Sequence, residues 1–203
     1  LESEYKTEAY YLCAQVQYQM HQYARCLEQL RLYEAQDNVV RSQNSVSAIY
    51  LKGYAEFNQR NYVAAEPILR SYLGKITPDV ITYPDALNRV GDCLFHARRF
   101  QEACDVYAQV VELKGAGADY AILQQGYSLG LLHRYPEKIV KLQILPLHYP
   151  QSDYADDALY EIARAELQQE HYTEAIGAYQ TLLKEYPNSN CAAKASLELG
   201  MAY

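Results

Sequence analysis

Histidine, cysteine and carboxylate side chains are the residues that would carry metal or acid–base chemistry in this chain. The five His and five Cys are scattered, and neither an HExxH motif nor a Cys/His spacing typical of a zinc site occurs. Gly115-Ala116-Gly117 lacks the Lys-Ser/Thr pair of a phosphate-binding loop. Asp156 and Asp157 are explained by a helix N-terminus, where negative charge is favourable. The sequence therefore predicts no catalytic centre, metal site or cofactor.

The cysteines form no disulfide pattern either. Their number is odd and no CxxC pair occurs. The chain is also long enough to fold stably without disulfide bonds. We expect small buried thiols. A bridge between Cys13 and Cys26 is the alternative, since their helices would pack together.

The composition is that of a folded, acidic, tyrosine-rich protein. The 203 residues include 50% hydrophobic residues and carry a net charge of −7. The acidic balance argues against nucleic acid as the main partner, and no apolar run reaches the ~18 residues of a membrane-spanning helix. There are 22 Tyr, three Phe and no Trp, which is more Tyr than a core alone requires. The chain begins LESEYK, without an initiator Met, so we expect a piece of a longer protein whose compartment this start does not reveal.

A unit of about 37 residues repeats along the whole chain. Segment 149–166 matches segment 186–203. Extending this register toward the N-terminus gives three columns of equivalent residues. Spacing within a unit is constant, whereas spacing between units varies, as in rigid hairpins joined by variable loops. The small column contains Ala14, Gly53, Gly91, Gly126, Ala163 and Gly200; nine residues later come the aromatic residues Tyr23, Tyr62, Phe100, Tyr135 and Tyr172; three further on come Cys26, Ala65, Ala103, Lys138 and Ala175.

Each unit has two stretches of apolar residues at helical spacing, so each predicts a pair of antiparallel helices. Small residues in facing positions let the two helices approach closely, and the aromatic residue fills the turn. No stretch shows sustained two-residue alternation, and we expect an all-α fold without a sheet.

The column pattern resembles the tetratricopeptide repeat, most clearly over 90–113 and in the fifth unit. The resemblance implies a right-handed superhelical solenoid in a single array of repeats at about 7–40, 46–78, 84–116, 119–150 and 156–189, with the first helix of a sixth at 193–203. The YPxS loops and the 37-residue spacing are similar to bacterial envelope members, such as outer-membrane assembly lipoproteins and the Tol-Pal coordinator. A location in the bacterial envelope or periplasm is therefore expected, with the cytoplasm as the alternative.

The fourth unit departs most from the repeat pattern. It has Lys138 where other units have Ala or Cys, and Pro146 should end or kink its second helix. The sixth unit lacks its second helix, so Leu199, Met201 and Tyr203 are expected to bury themselves against a neighbour or another chain.

In this family the first helices line a concave face, which implies a set of groove residues here. Tyrosine suits binding because it offers area and a polar tip at a small entropic cost. The alternative is that Tyr simply fills spaces between helices, as Tyr107 and Tyr179 would. The implied groove residues are Tyr11, Tyr18, Tyr50, Tyr54, Phe57, Asn58, Asn88, Asp92, His96, Tyr127, Tyr160 and Arg164.

The main functional hypothesis is a non-catalytic scaffold that binds a protein or peptide segment in this aromatic groove. The family's carboxylate clamp, which binds the acidic C-terminus of a chaperone, uses Lys, Asn and Arg on this face. The groove residues here include no Lys, which argues against a chaperone C-terminus as the ligand. The alternatives are a sensor that binds a small molecule or glycan, and a structural spacer attached to an enzyme. Self-association through the sixth unit is a further expectation.

Overall fold

A computed structural model of the chain describes residues 2–37, 39 and 44–202, with the side chains of residues 2–4 and 202 excepted. The described residues form helices and no strand, which confirms the all-α prediction. The chain divides into two compact units, which we call unit 1 (1–99) and unit 2 (100–203). Unit 1 contains α1 Glu2–Gln19, α2 Tyr23–Glu34, α3 Ser45–Asn58, α4 Tyr62–Leu73 and α5 Tyr83–His96. Unit 2 contains α6 Phe100–Glu112, α7 Ala118–Leu131, α8 Tyr135–Leu142, α9 Ile144–His148, α10 Ala155–Leu167, α11 Tyr172–Glu185 and α12 Ala192–Ala202.

The small column marks the closest approach of the two helices in a hairpin. A Cβ added at Gly53 of α3 would lie 2.7 Å from Leu69 of α4, and one at Gly126 of α7 would lie 2.6 Å from Leu142 Cγ of α8. Both distances are shorter than a carbon–carbon contact, so neither site has room for a methyl group. The packing reason inferred from the sequence is therefore confirmed at these two hairpins.

Every hairpin turn has the same backbone geometry. The residue seven positions after the small column has a positive φ of 57° to 62° in all five turns, although none of these residues is glycine: His21, Arg60, Arg98, His133 and Glu170. The amide of the following residue donates to the carbonyl five positions earlier, as from Asn61 to Glu56 at 3.0 Å. This is the hydrogen bond of a Schellman motif, which satisfies carbonyls at the end of the first helix.

Consecutive hairpins pack by laying a first helix on the second helix before it. In unit 1, Ala48 and Ala55 of α3 share a buried cluster with Leu27 and Leu30 of α2. In unit 2, Ala158, Ile162 and Ala165 of α10 share a cluster with Ile139 and Leu142 of α8. Within each unit, stacking therefore buries the apolar face that a single hairpin would leave open.

The fourth hairpin is irregular where the sequence predicts it. The second helix breaks at Gln143 between α8 and α9. Pro146 has no N–H to give to Leu142, four residues earlier, and its ring would clash with that carbonyl. The predicted interruption at Pro146 is therefore confirmed.

Lys138 in the same hairpin is buried, and its ammonium pairs with the buried carboxylate of Glu161 in α10. The aliphatic stem runs past Gly130, whose Cβ position lies 3.3 Å from Lys138 Cδ. Arg164 also reaches Glu161, with Nη1 3.1 Å from Oε1. Lysine thus replaces the usual small residue by spanning from α8 to a carboxylate on the next first helix.

The cysteines form no disulfide in the structure, and their burial differs from the expectation at one position. Cys26, Cys93 and Cys104 are buried and Cys191 is half-buried, whereas Cys13 lies exposed on α1. The prediction of small buried thiols is therefore wrong for Cys13.

The C-terminal helix only partly follows its prediction. Leu199 of α12 packs at the edge of a cluster around Leu182, but Met201 is 71% exposed and is not buried within the chain. Tyr203 lies outside the described residues. The repeat boundaries and self-association through this helix stay predictions. None of the described helices is long and apolar enough to cross a membrane.

Candidate partner-binding surfaces on the first helices

The first helices of unit 1 bring several predicted groove residues together. Tyr50 and Tyr54 lie one turn apart on α3, with ring centroids 4.5 Å apart. The Tyr50 hydroxyl donates to Asp85 Oδ2 of α5 at 2.9 Å, and the Tyr54 hydroxyl donates to the same oxygen. On the other side, Asn58 Nδ2 donates to the Tyr18 hydroxyl of α1 at 3.0 Å. These bonds fix the side chains of three successive first helices, and we call this set the unit 1 surface.

An aromatic cluster extends the unit 1 surface toward the hairpin turns. The His96 ring stacks on Tyr62 with centroids 4.0 Å apart and planes 6° apart. Phe57 meets Tyr62 edge to face at 5.4 Å, and the Arg89 guanidinium lies 5.3 Å from the Phe57 centroid. Such contacts hold rings at fixed angles and reduce the side-chain entropy that a ligand would otherwise have to remove.

Tyr18 and Tyr50 of the unit 1 surface remain protonated at neutral pH. Burial raises the pKa of Tyr50 well above its usual value, and the negative charge of Asp85 raises it further. Burial also raises the pKa of Tyr18, although its bond with Asn58 acts in the opposite direction. A partner therefore meets neutral phenols beside one half-exposed carboxylate.

Unit 2 repeats the tyrosine–carboxylate arrangement. The Tyr160 hydroxyl of α10 donates to Glu198 Oε1 of α12 at 2.7 Å, and the Tyr179 hydroxyl of α11 donates to the other oxygen. Burial, followed by these interactions with Glu198, raises the pKa of Tyr160 to about 12. The Arg164 guanidinium lies 5.8 Å from the Tyr160 centroid. Tyr127 of α7 is half-buried, and its pKa is raised chiefly by burial.

Three of the predicted groove residues are buried and are corrected here. Tyr11 is 5% exposed within a buried cluster, where its ring packs on Tyr33 with centroids 5.8 Å apart. Asn88 and Asp92 are 3% and 5% exposed on a stretch of α5 that is buried along most of its length, and Asp92 is held by Arg89 at 2.6 Å. These three side chains offer a partner almost no area. The remaining predicted residues are half-buried or exposed: Tyr18, Tyr50, Tyr54, Phe57, Asn58, His96, Tyr127, Tyr160 and Arg164.

Sequence reasoning missed the two carboxylates that order these surfaces. Asp85 and Glu198 lie six and two positions before the small column, outside the positions that helix geometry assigns to the groove. A search for carboxylates within reach of the tyrosines of the preceding hairpin would have found both. Within the part of the chain that the structure describes, no group of three His, Cys, Asp or Glu side chains is arranged to hold a metal ion.

Comparisons with known proteins agree with this architecture. Residues 157–189 match the family model of the tetratricopeptide repeat. Comparison with curated proteins gave no sequence match. The matched segment covers the second helix and most of the first helix of the hairpin α10–α11.

Solved structures match the fold over nearly the whole chain. YrrB, a TPR protein with an unusual peptide-binding site, is 17% identical, with a TM-score of 0.71 over 92% of this chain and 90% of its own. MamA from Desulfovibrio magneticus RS-1, from residue 41 to its end, is 16% identical, with a TM-score of 0.71 over 91% and 97%. The apo form of RapI is 10% identical, with a TM-score of 0.75 over 96% of this chain and 57% of RapI. The chain therefore has the tetratricopeptide-repeat solenoid fold, and its residues 157–189 carry the sequence pattern of that family.

Proposed function

We propose that this protein is a non-catalytic scaffold that binds an extended or helical segment of a partner protein on the unit 1 surface. The observation that carries the proposal is the set of fixed, partly exposed aromatic side chains on α1, α3 and α5. Tyr18, Tyr54 and Asn58 each take part in a hydrogen bond that crosses between first helices. Prearranged aromatic groups of this kind dominate the energetics of protein interfaces. YrrB, which has the same fold, is a peptide-binding protein.

The partner segment is expected to carry a Lys or Arg side chain. Asp85 is half-exposed and accepts from two tyrosines, and the side-chain nitrogen of Arg89 is 3.9 Å from its other oxygen. A cation placed beside the Tyr50–Tyr54 pair would meet this carboxylate and could also lie over the negative face of an aromatic ring. A basic group next to an apolar anchor is therefore the chemistry that suits this surface.

Selection from a displayed peptide library tests the proposal, with the whole chain as the immobilised target. Selected peptides should be enriched in Lys or Arg and should bind a Tyr18→Ala/Tyr54→Ala variant at least about tenfold more weakly, the effect of losing an aromatic anchor. Tyr172→Ala is the matched control, because Tyr172 is 54% exposed at a hairpin turn of unit 2. Its binding should equal that of the wild type.

Equal binding of the selected peptides to all three proteins would refute the assignment of the unit 1 surface. A glycan or small molecule that binds the wild type and is lost in the double variant, with no peptide selected, would favour the sensor alternative. Fractionation of cells that express the full-length protein tests the proposed location in the bacterial envelope.

A further inference from the structure

A second candidate site lies in unit 2 and is lined by none of the tyrosines of the first helices. A cleft of about 450 Å³ opens between α6, α7 and α8. Its apolar lining includes Ala108, Leu129 and Val140, and Val140 is 65% exposed. Clefts of ~300–1,000 Å³ with mostly apolar walls are typical of small-molecule sites.

Gln125 of α7 lines this cleft and is 3% exposed. The equivalent residues Val90 of α5 and Ile162 of α10 are buried and apolar, whereas Lys52 of α3 is polar and only half-buried. Gln125 Nε2 donates to the Cys104 carbonyl of α6 at 3.1 Å, which orients the amide. No donor among the described residues reaches Gln125 Oε1.

An orphaned buried acceptor costs ~1–3 kcal/mol, and native proteins keep few of them. The polar residue also lies in the hairpin that departs most from the repeat pattern. Departures from a fold's own sequence rules are expected at functional sites. Gln125 thus lines the cleft and also carries a buried acceptor that no described donor satisfies, and both observations point to a ligand.

The balanced charges at the rim of the cleft favour an uncharged ligand. Arg134 and Lys141 carry positive charge, and Asp105 and Glu137 carry negative charge, so the rim is balanced. Arg134 Nε donates to Glu137 Oε1 at 2.6 Å, and Asp105 Oδ1 accepts from Gln101 Nε2 at 2.9 Å. The acidic rim groups thus already have partners.

We propose that the cleft between α6 and α8 binds a small, uncharged ring compound that carries one N–H or O–H donor. The ring packs against Ala108, Leu129 and Val140, and the donor bonds to Gln125 Oε1 after a small shift of the side chains that cover it. This site is separate from the partner-binding surface proposed above, because none of its residues belongs to the unit 1 surface.

Indole and benzofuran test the proposal, since the two ring systems have nearly the same shape and only indole has an N–H donor. The whole chain, labelled with ¹⁵N and ¹³C-methyl, is titrated with each compound and followed by NMR. Indole should shift the Gln125 side-chain amide and the Leu129 and Val140 methyl signals. Benzofuran should bind about tenfold more weakly, which is the value of one hydrogen bond to a buried partner.

Two variants separate the site from non-specific binding. Gln125→Val, which introduces the residue found in α5, should remove the preference for indole over benzofuran. Ala108→Phe fills the cleft from a half-buried position and should abolish the binding of both compounds. Circular dichroism and thermal unfolding establish that each variant is folded before it is titrated.

The proposal is overturned if neither compound shifts signals from the cleft at millimolar concentration. It is also overturned if indole and benzofuran bind wild type equally, or if Ala108→Phe is folded and still binds indole. The unit 1 surface is untouched by these variants, so a failure here leaves the peptide-selection result to be judged separately.

Discussion

The buried ion pair of Lys138 offers a quantitative test of the packing in unit 2. The Lys138 and Glu161 side chains are only 8% and 11% exposed. Removing one partner of a buried pair costs ~3–5 kcal/mol, because the other charge is left without compensation. Glu161 would keep Arg164 at 3.1 Å, which places the expected loss for Lys138→Met at the lower end, about 3 kcal/mol.

Urea denaturation followed by far-ultraviolet circular dichroism measures this loss. In a parallel thermal unfolding experiment the melting temperature should fall by about 6–12 °C, since 1 kcal/mol corresponds to ~2–4 °C in a protein of this size. The double variant Lys138→Met/Glu161→Leu leaves neither charge buried and should return to within about 1 kcal/mol of wild type. Lys184→Met is the control, because Lys184 pairs with Glu185 on the surface, where the exposed pair should contribute nothing measurable.

The proposed role of Lys138 would be refuted by either of two results. One is a loss below about 1 kcal/mol for Lys138→Met, which would mean that water or Arg164 compensates Glu161 fully. The other is a double variant as unstable as the single one, which would show that the lost lysine stem, and not its charge, stabilises the hairpin.

Four further substitutions test local features of the fold. Gly126→Ala should destabilise by about 1–3 kcal/mol through overpacking, whereas Gly177→Ala, with no neighbour within 4 Å, should stabilise by about 0.5–1 kcal/mol in the same urea assay. Arg60→Gly should stabilise by about 0.5 kcal/mol, because relief of the positive φ exceeds the entropy that glycine adds to the unfolded chain; a loss would show that the turn is not strained. Burial and a 3.0 Å bond to Asp157 raise the pKa of the Cys191 thiol to about 12, so Asp157→Asn should speed maleimide labelling of Cys191 about tenfold, and an unchanged rate by mass spectrometry would contradict this.

Periodicity made the hairpins and their contact points predictable. The small column follows from sequence alone because close helix approach leaves no room for a side chain, as at Gly53 and Gly126. Pro146 was equally readable, since proline removes a donor that every helix interior uses. These features depend on backbone geometry, which a repeat imposes in the same way on each unit.

The candidate surface was less predictable because it depends on neighbouring helices. Helix geometry gives Tyr11 and Tyr50 equivalent positions, and each packs on the tyrosine of its second helix, Tyr33 or Tyr72. Tyr11 is nevertheless buried, whereas Tyr50 is half-buried beside Asp85. The orphaned acceptor of Gln125 was also not predictable, because the spacing of a polar residue in a helix does not indicate its hydrogen-bond partners. One sequence gives the register of a side chain but not its surroundings.

The positive-φ residue in each hairpin turn makes the two helices of that hairpin mechanically interdependent. None of these residues is glycine, so the positive φ costs ~1 kcal/mol in each turn. The packing of the two helices on either side offsets this cost and keeps the turn closed. Once one helix lifts away, release of this strain favours further opening of the turn, and the Schellman hydrogen bond is a local contact that opposes it. Under a pulling force, a hairpin should therefore detach in a single step, with both of its helices released together.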